Sequence, residues 1–363
     1  MKKKRIKKDL QSKLKIAVVV DPLIKYEDWY TQLKYILKVF PNFELFTSYY
    51  NPELVSKYLP KVQIHDTFLQ LIAPESNGKK IWLELEKLAY KTFFLKNFDA
   101  VVSISSRSAR FVRTRKGMKH ISIIINPRKF LVNEKLQRKD RGTILNLDTV
   151  IVNSDFDKKR IHKMYNVDSK VVYPPVNVEI FNPKQLLHRK ENWFLMDVDV
   201  DIRALRLVIK SAVRANVGLK IAGSLKDRVE VEEITKGLQV RGLVKFLGGV
   251  SSAERIKLIQ KCKAYIYPVK KSDFPKEVVE ANAAGTAVIG YAQEVISELI
   301  SINHPKTGVL FDKYNSKLLS KILKNFNGEE FDGKNCIIKA QEFDPSIFTY
   351  KLKTYVEDTV QSS

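Results

Sequence analysis

Short apolar runs alternate with amphipathic segments along the whole chain. Residues 14–20 (Leu-Lys-Ile-Ala-Val-Val-Val) form a β-branched run without polar alternation, the pattern of a strand covered on both faces in a parallel sheet. Trp29, Leu33, Ile36 and Leu37 recur at helical spacing and predict a helix over Trp29–Val39. The same patterns predict strands at Phe43–Thr47, 99–104, 120–125 and 149–153, and helices at 53–59 and 82–95. Ser154 stands at an N-cap position ahead of a helix running through Met164. Strands alternating with helices imply parallel sheets with crossover connections.

The scheme then repeats. Strands are predicted at 193–196, 219–222, 244–247, 264–267 and Gly308–Phe311, and helices at 202–214, 231–236, 253–261 and 345–360. Between the halves, residues 171–176 (Val-Val-Tyr-Pro-Pro-Val) carry paired prolines, which force extended backbone and suit a linker. Residues 183–191 are polar and read as a loop. A length of 363 residues fits two or three domains of ordinary size.

Composition changes this picture at three points. No apolar run reaches the ~18 residues of a membrane span, and Met1-Lys2-Lys3-Lys4-Arg5-Ile6-Lys7-Lys8 has no apolar segment behind it, so a cytoplasmic chain is expected. Cys262 and Cys336 show no metal-ligand spacing, and both are expected to pack in a reducing compartment. The net charge is +24. Anionic lipid, nucleic acid and anionic small molecules could each use it, and a Lys-rich composition serving solubility alone is the plain alternative. Residues 1–13 read as a basic arm, with Lys2 to Lys8 able to attach to the inner face of a membrane.

The most specific segment runs from Ala264 to Ile289. An apolar strand ends at Pro268, a loop follows, and a helix is expected from Phe274, carrying Glu280 and the small residues Ala281, Ala283 and Ala284. Gly285 caps it, and a strand starts at Ala287. This resembles the nucleotide-sugar-binding segment of the family 4 (group 1) retaining glycosyltransferases, E-D-F-G-x-x-x-x-E-A-x-A-x-G-x-P-V-I. Further stretches resemble the same family in order: 14–21 its opening strand, 99–103 the strand before its acceptor-side helix, 151–156 and 171–176 its closing strand and linker, 246–250 its base-binding turn, and 307–310 its late strand.

The resemblance implies an α/β protein of GT-B fold. Two Rossmann-like domains with parallel sheets face an interdomain cleft: an acceptor domain over 14–173, a nucleotide-sugar domain over 174–344, and a helix over 345–363 crossing back to the first. The donor substrate is a nucleotide-diphosphate sugar, and neither cofactor nor metal is implied. On the donor side the resemblance assigns Arg203, Gly248, Gly249, Val250, Phe274, Lys276, Glu277 and Glu280. Glu280 matches the carboxylate that takes the ribose hydroxyls. Retaining transfer builds charge on the departing diphosphate, so cations and helix N-terminal amides belong there. Of the family's Arg and Lys at that point, the aligned positions are Val198 and Arg203.

The site departs from the family elsewhere. Ser272 replaces its first Glu, with Asp273 and Glu277 nearby, and Pro275 replaces its Gly. In the first half, Glu27 and Asp28 stand where two glycines usually do, and Ile125 where a His does. Lys129 keeps a cation where the family has Arg. The run 105–116 is cation-rich, and Arg107, Arg110 and Arg113 are assigned to an acceptor or anion side.

Three functions follow: sugar transfer from a nucleotide-diphosphate donor to a lipid, glycan or protein with retention; a catalytically degenerate member acting as a binding or partner subunit; and a basic nucleic-acid-binding protein. No Walker A, Cys-x-x-Cys pair, His-Glu-x-x-His or Gly-x-Ser-x-Gly is present, and His65, His120, His162, His188 and His304 are scattered. No helix-turn-helix or zinc-finger pattern accompanies the basic charge.

Overall fold

A computed structural model describes residues 14–72, 79–127, 134–183, 190–198, 201–223 and 242–362. The basic arm, the helix expected at 231–236, Lys129 and His188 lie outside the described residues. The chain divides into two compact units, Met1–Pro175 with Pro345–Ser363, and Val176–Asp344.

The first unit is a seven-stranded parallel sheet in the order β3-β2-β1-β4-β5-β6-β7. Its strands are β1 (Ile16–Val20), β2 (Phe43–Thr47), β3 (Ile64–His65), β4 (Ala100–Ser105), β5 (Lys119–Ile124), β6 (Thr149–Val152) and β7 (Lys170–Val171). Every residue of β1 is buried, as an unalternating β-branched run requires. One face packs on the helix Trp29–Val39 and on the terminal helix Pro345–Gln361, which sets Phe348, Leu352 and Val356 into the core beside Val18, Val102 and Ile121. The other face buries Ala17, Val19 and Val101 under Tyr90, Leu95 and Phe98.

The second unit is a six-stranded parallel sheet in the order β10-β9-β8-β11-β12-β13. Its strands are β8 (Trp193–Asp197), β9 (Gly218–Ala222), β10 (Val244–Gly248), β11 (Tyr265–Tyr267), β12 (Val288–Tyr291) and β13 (Gly308–Phe311). The order reverses between β8 and β11, the doubly wound arrangement in which ligands bind beyond the carboxyl ends of the strands. The helix Ile202–Ala215 lays Leu205, Val208, Ile209 and Ala212 on this sheet together with Leu319 and Leu323. Cys262 and Cys336 are free and buried.

Some elements differ from the sequence pattern. The helix expected over 82–95 spans Lys79–Tyr90. Thr92 ends it by bonding Ala89 O through Oγ1 at 2.7 Å, and Leu95 turns into the core instead. The helix expected from Phe274 spans Lys276–Ala283, with Pro275 at its N-cap. The helices Glu134–Leu145, Ser316–Asn325 and Gly333–Gln341 were not expected. The last two bury only a narrow stripe, Leu319, Ser320 and Leu323 in one and Cys336 and Ala340 in the other. No helix among the described residues is long and apolar enough to cross a membrane.

Candidate functional site

The carboxyl edge of the second sheet is tied together by backbone. Val198, just past β8, donates its N–H to Ala222 O at 2.7 Å, and Gly223, just past β9, donates to Gly248 O at 2.8 Å. Gly223 and Gly248 both have positive φ, +119° and +71°, which favours glycine. A Cβ at Gly223 would press into the Val198 side chain, whereas one at Gly248 would meet open space. The base-binding turn assigned to Gly248, Gly249 and Val250 is therefore a partly exposed rim at this edge.

Behind that rim lies an ion-pair cluster. Arg255 is in the first turn of the helix Ser252–Lys261, whose start is fixed by a capping box between Ser251 and Glu254. Its Nε and Nη2 donate to Asp197 Oδ2 at 3.1 and 2.8 Å, and its Nη1 donates to Glu280 Oε2 at 2.7 Å. Tyr265 adds its hydroxyl to Asp197 Oδ2 at 2.8 Å. Asp197 Oδ1 is buried and has no partner among the described residues. Burial works against the Arg255 cation, but Glu280 and Asp197 more than offset it, and its pKa is raised. Glu277 is pushed up to about 7, first by burial and then by the neighbouring Glu280 charge, while Lys276 and Arg255 pull the other way. The Tyr265 hydroxyl is raised well above its usual range by burial and by Asp197.

The other donor-side residues take varied places. Arg203 is in the first turn of the helix Ile202–Ala215, its side chain 78% exposed, and closes on Asp201 through Nη2 at 2.8 Å. That contact holds the Asp201 carboxyl down at about 2. Val198 packs against the apolar core, so the position offers no charge. Lys276 opens its helix, with its N–H on Phe274 O at 3.0 Å. Phe274 precedes the helix and its ring meets Phe343 at 5.9 Å, so its amide is not part of a helix N-terminus.

In the first unit two of the five cations of the run, Arg107 and Arg110, are consumed by structure, and Arg113, Arg115 and Lys116 are exposed. Asp21, at the end of β1, accepts the backbone N–H groups of Ser106, Ser108 and Ala109 at 2.7–2.8 Å and so folds the turn after β4. Arg107 pairs with the buried Glu86, which Ser108 Oγ also reaches at 2.8 Å. Burial raises the Glu86 pKa, with Arg107 opposing. Arg110 corrects the expectation most clearly. It is fully buried, with Nε and Nη2 on Asp140 Oδ1 at 2.9 and 2.6 Å, and Tyr165 holds Asp140 Oδ2 at 2.7 Å. A guanidinium whose Nε and Nη2 are taken by a carboxylate inside the domain is held by structure, although the residue also lines the concavity beside Arg113. Arg113 stays exposed, beside a concavity of about 700 Å³ also lined by Lys87, Lys91, Phe111 and His120.

Glu27 and Asp28 have a local use. Glu27 Oε2 accepts the Trp29 indole N–H at 3.0 Å, and both acids sit at the positive end of the helix Trp29–Val39. Ile125 is in the apolar core. His120 bonds Ser103 Oγ at 2.9 Å, but burial pushes it down to about 4, and Ser103 is fully buried, so the pair is packing and not a nucleophile with its base. Among the described residues no group of three or more His, Cys, Asp or Glu side chains is arranged to hold a metal ion.

The sequence reading missed Asp197, Arg255, Tyr265, Asp21, Glu86 and Asp140. The available signal was an Arg in the first turn of a helix whose partners are far apart in sequence, which spacing does not reveal.

Residues 197–343 match the sequence model of the family described as glycosyl transferases group 1. No curated protein matches the chain. Solved structures similar to it include a glycosyltransferase from Rickettsia africae ESF-5, at 15% identity and TM-score 0.72, covering 96% of this chain and 100% of that one. The lipopolysaccharide outer core galactosyltransferase WaaB in its apo form matches at 17% identity and TM-score 0.72, covering 95% and 100%. Anabaena Alr3699/HepE in complex with UDP matches at 14% identity and TM-score 0.71, covering 95% and 100%. The fold is GT-B, with two Rossmann-like units.

Proposed function

We propose that this chain is a glycosyltransferase that takes its sugar from a nucleoside-diphosphate donor held at the carboxyl edge of the second sheet. The observation that carries the reading is the convergence there of Glu280, the Gly248 turn and the start of the Lys276–Ala283 helix, within the residues that match the group 1 glycosyl transferases. Alr3699/HepE, of the same fold, binds UDP and UDP-glucose. Glu280 takes the ribose hydroxyls, and Gly248, Gly249 and Val250 border the base. Lys276 and Arg203 face the diphosphate. Among the described residues Arg203 is held by an exposed pair with Asp201, a weak contact in water, so it can exchange that carboxylate for a phosphate. Retention at the transferred sugar is part of this reading and rests on the family resemblance.

Calorimetry with UDP, GDP and ADP tests it. One of them binds the wild-type protein, and Glu280→Ala weakens that binding. If none binds, the reading is wrong. Release of nucleotide from a panel of donor sugars then separates a transferase from a binding subunit. That second reading has its own support. Val198 carries no charge, Ser272 carries no carboxylate, and Glu280 already faces a cation.

A further inference from the structure

Arg255 is a cation at the donor edge that the family pattern does not assign. Its guanidinium is gripped from two sides: Asp197 at the end of β8 takes Nε and Nη2, and Glu280 takes Nη1. The grip on Glu280 falls on Oε2 alone, and among the described residues Oε1 accepts nothing. The Glu280 side chain is only 13% exposed. A carboxylate so placed has one oxygen fixed by the guanidinium and one left to accept from a ligand. Glu277, on the same helix, supplies a comparison inside the molecule. It makes no ion pair among the described residues, and burial raises its pKa.

The free oxygen accepts and cannot donate, so the matching ligand group is a donor, a hydroxyl or an N–H, and not an ionised phosphate. A ribose diol is such a group. We infer that Arg255 is a positioning residue of the donor site: through its bond to Oε2 it holds the Glu280 carboxylate turned, with Oε1 presented to the ribose hydroxyls, while Asp197 and Tyr265 anchor the guanidinium. The inference rests on the donor reading above. An ammonium is a point charge without the planar fork, so lysine at this position cannot hold both carboxylates in the same geometry.

The test compares two ligands on four proteins. The ligands are the nucleoside diphosphate from the UDP, GDP and ADP panel that wild type binds, and its 2′,3′-dideoxy form. The proteins are wild type, Arg255→Met, Arg255→Lys and Glu280→Gln. Wild type prefers the ribose form by about tenfold or more, the scale of one charge-assisted hydrogen bond. Arg255→Met and Glu280→Gln bring the preference close to one while the dideoxy form binds as it does to wild type. Arg255→Lys loses most of the preference and carries the comparison if Arg255→Met does not fold. A variant at Arg255 that keeps the wild-type preference overturns the inference and leaves the donor reading standing. Equal weakening of both ligands, with a lowered Tm, assigns Arg255 a structural role and also overturns it. A wild type that binds no nucleoside diphosphate overturns the donor reading itself.

Discussion

Glu277 and Asp140 are both enclosed carboxyl groups, and their neighbours put them to different uses. Among the described residues no cation is bonded to Glu277, and burial raises its pKa to about 7 against 4.5 for an ordinary carboxyl. Between those values the unfolded chain has released the proton and the folded protein still holds it. The contribution of this group to stability is therefore full below pH 4.5 and is lost as pH rises toward 7. Glu277→Gln is expected to flatten the fall in Tm across that window, and calorimetric scans at several pH values measure it. Asp140 has Arg110 locked against it inside the first unit. Asp140→Asn removes the carboxylate that takes Arg110 Nε and Nη2, and a loss of about 3–5 kcal/mol is expected. Denaturant unfolding measures that loss, and Arg110→Met in the same chain recovers part of it.

At the scale of an element, two glycines test how closely the backbone is packed. Gly308 opens β13 in register with Val288, and a Cβ there would run into Val288 O and the Ile300 side chain. Gly308→Ala is expected to separate β13 from β12 and lower the stability of the second unit. Gly142 lies in the helix Glu134–Leu145, and a Cβ there would meet nothing within 4 Å. Gly142→Ala is expected to stabilise by roughly 0.5–1 kcal/mol, because alanine loses less backbone entropy in a helix. The two Tm shifts should have opposite signs, and a fall for both would show that the space around Gly142 is misjudged.

At the scale of the molecule, the terminal helix belongs to the unit built from the start of the chain. Phe348, Leu352 and Val356 are buried in that unit's core, and Thr359 meets Thr149 at 2.7 Å. Each such side chain contributes about 1.5–3 kcal/mol on burial. Deleting residues 345–363 is expected to unfold the first unit while Val176–Asp344 stays folded, which limited proteolysis with mass spectrometry resolves. The +24 charge makes a separate prediction. Binding to anionic vesicles at low salt is expected to disappear near 1 M salt, where the Debye length is about 3 Å. Equal sedimentation with neutral vesicles would sink the idea.

Much of the fold was legible because hydrophobic period is a local property. The continuous run in β1, the helical spacing of Trp29–Val39 and the Ser154 cap each follow from neighbouring residues, and the structure has all three. So does the strand–helix–strand unit around Glu280, whose small residues and Gly285 fix helix and turn. What the sequence could not determine is where charges end. Arg110 and Arg113 are three residues apart in one basic run, yet one is buried on Asp140 and the other is exposed. Arg255 and its partners are 58 and 25 residues apart and meet only because parallel strands bring their carboxyl ends to one edge. Burial pattern is written along the chain. Pairing of buried charges is decided by strand order, because a side chain that must lose its water takes whichever partner the sheet sets beside it.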